Sequence, residues 1–283
     1  RAPDQIRFIF FALNLNLAHF LNLVHNFASF IKLVDQMTVN ERKERQRFDR
    51  EQLFLDKAAQ LIASEGILQL QMAPLARACE YATGTLYQHF SSKEDLLLAL
   101  VARNGCNQLK LFQQIAALAI CNRHKILALC VAEELAREYH PSHARLEQYV
   151  FTEVVWENAS ASRRQMILDN SKPLSELVSG IVGAALAAGE LPDHQCTALE
   201  LSIAPWALCT GSHNLEQTSG LLAAFGLNKD PLQRYRHMHL LLNGMQWQPL
   251  QDLNDTAALA AQLQQLRQQV APLFSGLCQL TVE

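Results

Sequence analysis

A chain of 283 residues is long enough for two helical domains, or one large one, with ample room for a core. Almost half of it is apolar, only 11 residues are glycine, and Leu, Ala and Gln dominate, a composition that reads as all-α. A net charge of -3 excludes a protein that coats nucleic acid through bulk charge, so any DNA binding must come from a local surface.

In chain order, Phe8 to Val34 is apolar and long enough to cross a bilayer, but Asn14, Asn16, His19, Asn22, His25 and Asn26 interrupt it. A membrane anchor, a helix packed on the domain or a partner, and a non-native extension over residues 1–36 are the readings open here. Residues 40–50, NERKERQRFDR, set five basic side chains against three acidic ones. They form either a solvated helix start or an arm that reaches phosphates. Helix one is predicted from about Glu51 to Ser64, with Phe54, Leu55, Ala58, Leu61 and Ile62 as its buried stripe and Gly66 as its stop.

Helix two is predicted over Ala73 to Glu80, with Pro74 in the first turn, where a missing N–H costs nothing. Helix three, Thr83 to Phe90, follows after a short turn. Helix four begins at Ser92 as N-cap, with Asp95 three residues on as a variant capping box, and runs toward Phe112. A short helix, a tight turn and a second short helix are the parts of a DNA-reading helix-turn-helix. Leu86 and Phe90, four apart, give the second helix an inner face against Leu75, Ala76 and Cys79. Its other side chains point outward: Thr83, Thr85 and Gln88 suit base edges, Gly84 permits close backbone approach, and Tyr87, His89 and Lys93 suit phosphate oxygens.

The run Thr83-Gly84-Thr85-Leu86-Tyr87-Gln88-His89-Phe90, then Ser92-Lys93-Glu94 and Leu96, resembles the DNA-binding domain of the TetR/AcrR repressors. The likeness spans residues 53 to about 100, under a fifth of the chain. It departs from the usual pattern at Glu80-Tyr81, where Gly-Val is common, and at Gln71, where Thr or Ser often caps helix two. The resemblance implies an N-terminal three-helix reading domain at 37–95 and a ligand-binding and dimerisation domain at 96–250. An additional helix at 251–283 has no assigned role. It also implies a homodimer that binds double-stranded operator DNA and releases it on meeting a small-molecule inducer. Met37 opens a polar run typical of a cytoplasmic repressor arm, so residues 1–36 are expected to be non-native and the protein cytoplasmic, without a membrane partner.

Beyond residue 115 helices are predicted near 119–138, 142–158, 161–169, 173–189, 194–214, 231–246 and 255–279, broken at Pro141, Ala159–Ser162, Pro173, Pro192, Gly226–Pro231 and Trp247–Asp255. The resemblance places the dimer interface on 194–214 and 231–246. Ala204, Ala207 and Gly211 would allow close packing in the first, and Tyr235, His239, Leu240 and Leu242 would fill the second. The alternative for these residues is an intramolecular core. Cys106, Phe112, Phe151, Trp156 and Met166 are the candidates for a ligand pocket.

The seven cysteines, at 79, 106, 121, 130, 196, 209 and 278, lack regular spacing and read as reduced, buried thiols. Cys121 with His124 could share a helix face, His194 with Cys196 lies at a helix start, and His237 and His239 point to opposite sides. None approaches a closed metal site, and no metal or cofactor is expected. Nucleophile-elbow, zinc-protease, phosphate-loop and dinucleotide fingerprints are missing, so the chain reads as a regulator rather than an enzyme. A helical interaction or membrane-tethered protein without specific DNA binding is the alternative.

Overall fold

The computed structural model describes residues 17–218, 220–227 and 230–276, with side chains from Val39 to Ser275. The expectations for Phe8–Val34, Cys278 and the end of the last predicted helix therefore fall outside the described side chains. Two compact units are formed by residues 1–54 and by Leu55–Glu283. The described residues are helical or irregular, without strands.

Helix α1, Leu17–Glu65, is far longer than the predicted 51–64, because neither glycine nor proline occurs between its ends. In the first unit its residues 39–49 are exposed, the basic ones included. In the second unit Leu55, Ala58 and Ile62 are buried as a stripe, and Gly66 at φ +93° ends the helix. A 3-10 turn, Ile67–Gln69, leads to α2, Met72–Ala78, and α3, Thr83–Tyr87. Helix α3 is shorter than predicted; Gln88 to Phe90 wind on as a turn in which Phe90 N donates to Leu86 O at 3.0 Å.

The body consists of α4 (Lys93–Ala116), α5 (Asn122–Tyr139), α6 (Pro141–Val150), α7 (Glu153–Asn158), α8 (Ala161–Ala187), α9 (Ala198–Gln217), α10 (Leu221–Ala224), α11 (Pro231–Gly244) and α12 (Thr256–Val270), closed by a 3-10 segment, Ala271–Gly276. Two predicted boundaries are corrected. The expected helix at 142–158 is two helices, because the Thr152 hydroxyl donates to Tyr149 O at 2.7 Å and closes α6. The expected break at Pro173 is absent: Pro173 is exposed, as is Asp169, whose carbonyl loses its partner, so water can replace the missing bond. Burial of Ile167, Ile181, Val182 and Ala185 then carries α8 through the proline.

Helix α12 is part of the core rather than an appendage. Leu259, Leu263, Leu266 and Val270 recur at helical spacing and are buried in one cluster with Leu127, Val131, Leu135, Leu242 and Trp247. Arg267 ties its outer edge to Glu134 at 3.0 Å and Glu138 at 2.6 Å. Cys79 and Cys209 are buried as expected, but Cys106 and Cys196 are exposed; none of the six described cysteines forms a disulfide.

Candidate nucleic-acid interface

The inner face of α3 is closed. Leu86 and Phe90 are fully buried, as are Leu75 and Ala76 of α2, and Cys79 follows at the helix end, where burial raises its thiol pKa. The turn between the helices needs a left-handed residue and Glu80 supplies it at φ +62°, the place where glycine would cost less. Gln71 stands at the N-cap of α2 without a side-chain bond.

The outer face of α3 is open. Gly84, Tyr87 and Gln88 are exposed, and Thr83 and Thr85 are half-buried. A Cβ added to Gly84 would meet no atom within 4 Å, so nothing in the protein itself demands glycine there. The remaining two expected DNA contacts sit differently. His89 is buried beside Phe90, with its carbonyl accepting from Arg163 Nη2 at 3.1 Å. Lys93 is half-buried; its Nζ donates to Ile67 O at 2.9 Å and Leu68 O at 3.4 Å, and burial lowers its pKa. In this structure its ammonium fastens the start of α4 to the turn after α1.

A joint that the sequence did not announce connects the reading helices to the body. Ser92 caps α4 by accepting from Asp95 N at 3.1 Å, but the Asp95 carboxylate does not complete the box on Ser92. It accepts instead from Ser91 N at 3.2 Å, from the Ser91 hydroxyl, and from Ser160 N at 2.7 Å, where Ser160 is the N-cap of α8. Arg163, one turn into α8, lies 5.2 Å over the Phe90 ring. Burial works to raise the Asp95 carboxyl, yet the bonds from Ser91 and Ser160 outweigh it and hold it below the usual carboxylate range. Asp95→Ala is expected to cost about 2 kcal/mol, since it removes the charged acceptor shared by the Ser91 and Ser160 N–H groups. Thermal melts at neutral pH check this, and an unchanged melting temperature would remove Asp95 from the joint. The same carboxylate loses its stabilising effect as pH falls through its depressed folded value.

The five ligand candidates differ in setting. Phe112 belongs to the core, Cys106 and Met166 are exposed, and Phe151 and Trp156 pair with rings 6.2 Å apart. A groove of about 400 Å³ lies elsewhere, between α5, α11 and α12, lined by Leu135, Tyr139, Leu232, Leu263 and Arg267. Among the described residues no group of three His, Cys, Asp or Glu side chains could hold a metal ion, and no helix is long and apolar enough to cross a membrane. Cys121 Sγ and His124 Nδ1 do meet, at 2.8 Å. His194 bonds Met245 O at 2.8 Å instead of joining Cys196, and His237 is exposed while His239 is buried.

A closed inner face, an open outer face and a following helical body define a helix-turn-helix joined to an all-α body. Residues 54–100 match the family described as bacterial regulatory proteins, tetR family. In this segment the chain is similar to the tetR family. A fatty acid metabolism regulator protein from Bacillus subtilis (strain 168) is 23% identical over 142 residues, 49% of this chain and 69% of that protein. In fold, the chain is similar to a tetR-family regulatory protein from Rhodococcus RHA1, with a TM-score of 0.51 and 16% identity over 69% of this chain and 96% of that one. FadR from Bacillus subtilis, solved in complex with stearoyl-CoA, has a TM-score of 0.46 and 18% identity over 76% of this chain and 96% of that one.

Proposed function

We propose that the protein is a homodimeric, ligand-responsive transcriptional repressor that acts in the cytoplasm, holds a two-fold operator, and lets go when a small-molecule inducer binds its body. The reading segment is 37–95, the responsive and dimerising body 96–250, and the segment 251–283 an added element of that body. The observation that carries the reading is the open face of α3, whose Thr83, Thr85, Tyr87 and Gln88 stand over a fully buried Leu86 and Phe90 in the segment matched to the family. Thr83, Thr85 and Gln88 read base edges in the major groove, Gly84 lets the backbone approach, and Tyr87 meets a phosphate.

One reading head covers too few base pairs for adequate specificity, so two must be set about one helical turn, roughly 34 to 36 Å, apart. The face that joins them runs along α9 through Leu199, Ile203, Trp206 and Ala207, all exposed, and continues to Leu240 of α11. Tyr235, His239 and Leu242, expected at this interface, are buried in the body's own core and drop out of it.

The joint of Asp95, Ser160 and Arg163 gives the inducer its route. A ligand that prefers a body in which α8 is displaced pulls on Ser91 and Phe90 and changes the spacing of the heads. Electrophoretic retardation of DNA from upstream of the gene tests the reading. The protein is expected to retain one fragment in the presence of excess unrelated duplex. Thr85→Ala is expected to change the selected base at one position in each half-site; an identical selected consensus would take Thr85 out of base reading, and retention of no fragment would end the repressor reading.

A further inference from the structure

Where α4, α5 and α6 pack together, the interior is polar. Gln108 Nε2 of α4 donates to Glu133 Oε1 of α5 at 2.5 Å, and Arg137 Nη2 donates to Glu133 Oε2 at 3.3 Å. Glu147 of α6 sits close to both, and its half-buried carboxyl makes no hydrogen bond with any described residue. Four residues earlier, on the same helix face, His143 stacks on His140 at 5.4 Å between ring centroids and leaves a buried Nδ1 without a partner. Asn104, 7% exposed and on the α4 face that carries Gln108 four residues on, has a buried Oδ1 that is likewise unmet.

Two buried polar atoms without a partner, Asn104 Oδ1 and His143 Nδ1, on helices that also carry the Glu147 carboxyl call for an explanation, because buried polar atoms are normally paired. All three accept. Asn104 Oδ1 and an ionised Glu147 have lone pairs only, and His143 Nδ1 accepts when the ring proton is on Nε2. A group with three donors and a positive charge complements them. We propose that this junction binds a ligand bearing a primary ammonium group, whose N–H donors go to the Glu147 carboxylate, His143 Nδ1 and Asn104 Oδ1. The proposal rests on the repressor reading and names the chemical class of its effector.

Charge supports it. Glu133 is matched by Arg137, and Arg103 by Asp56 at 2.6 Å. Arg137 acts on Glu147 as well, so an ionised Glu147 leaves two carboxylates sharing one guanidinium. Burial, helped by Glu133 and opposed by Arg137, pushes its carboxyl up to about 7, so without a cation it holds a proton near neutrality. Burial, with His140 and Arg103, lowers His143 to about 4, and burial lowers His140 as well, so both rings stay neutral. An arriving ammonium takes the proton's place, and the proton leaves to solvent. Half-burial of His143 and Glu147 leaves the junction open to solvent.

Isothermal titration of the full chain with n-octylammonium chloride, in phosphate and in HEPES at pH 7, counts the proton. Saturable binding is expected with release of about half a proton, and affinity about tenfold higher at pH 8 than at pH 6 as Glu147 ionises. Glu147→Gln copies the shape of the protonated acid; it is expected to abolish the proton release and weaken binding at least about tenfold. Octyltrimethylammonium, which has no N–H donor, is expected to bind more weakly. Equal or tighter binding of n-octanol, octanoate or stearoyl-CoA would overturn the proposal, as would unchanged binding by Glu147→Gln or no saturable binding of the amine. If retardation of operator DNA persists in those cases, the repressor reading survives and only the effector class falls.

Discussion

Trp206→Asp is expected to convert the protein from dimer to monomer and to weaken operator binding about a hundredfold or more, with little change in helix content. Trp206 is 67% exposed on α9, and Ile203 and Leu199 lie one and two turns before it on the same face. An indole has large area and few rotatable bonds, which makes it a natural anchor when a second copy covers it. Because none of these side chains belongs to the internal core, the monomer should stay folded. An aspartate at the centre of a closed apolar face has no partner, and the desolvation penalty exceeds what the rest of the face returns. Sedimentation velocity at micromolar concentration checks it: a dimer that persists in the variant would place the interface elsewhere, and a monomeric parent protein would remove the homodimer.

Arg123→Leu is expected to lower stability by about 3 to 5 kcal/mol, the largest loss from any single side chain considered for this fold. Arg123 stands at the start of α5 and is 1% exposed. Its guanidinium donates to Trp247 O, to Asn243 Oδ1 at 2.8 Å and to His239 Nδ1 at 3.1 Å. Asn243 in turn holds the backbone of Gln251 through bonds of 2.8 and 3.1 Å, and Tyr235 packs edge-on to His239 and bonds Gln262 of α12 at 2.8 Å. One cation thus ties together α5, the end of α11 and α12. Leucine fills the volume but leaves Trp247 O and His239 Nδ1 without a donor and Asn243 Oδ1 with only that of Gln251 N. Chemical denaturation of parent and variant measures the loss, and a difference below about 1 kcal/mol would show that water replaces the guanidinium. Acid weakens the same network. Burial, with Arg123 and His124, lowers His239 to about 4, so folding favours its neutral form. Stability is therefore expected to fall as pH drops below about 6.5 toward 4, by about 2 kcal/mol at pH 5 from this group.

Much of this fold is written locally. Proline marks the starts of α2, α6 and α11, and the four-residue spacing of Leu86 and Phe90 is enough to divide α3 into inner and outer faces. Thr197 and Glu200 form a full capping box, a signal carried by the sequence itself, and it sets the start of α9 at Ala198 rather than the expected 194. What stayed hidden depends on residues far apart in the chain. His89 and Asp95 owe their placement to Arg163 and Ser160, more than sixty residues on. Lys93 is claimed by carbonyls 26 and 25 residues earlier. The side of α11 that faces inward is chosen by Arg123, which draws His239 into the core and leaves Leu240 outside. Pro173 misled because its effect depends on solvent exposure, which spacing alone does not reveal.

Selection of bound duplexes from a random pool, followed by hydroxyl-radical footprinting of the full chain on the winner, tests the open face of α3 most directly. Two protected half-sites related by two-fold symmetry, with centres about one helical turn apart, are expected. A pool with no enriched sequence, or a duplex left unprotected at low salt, would contradict the account.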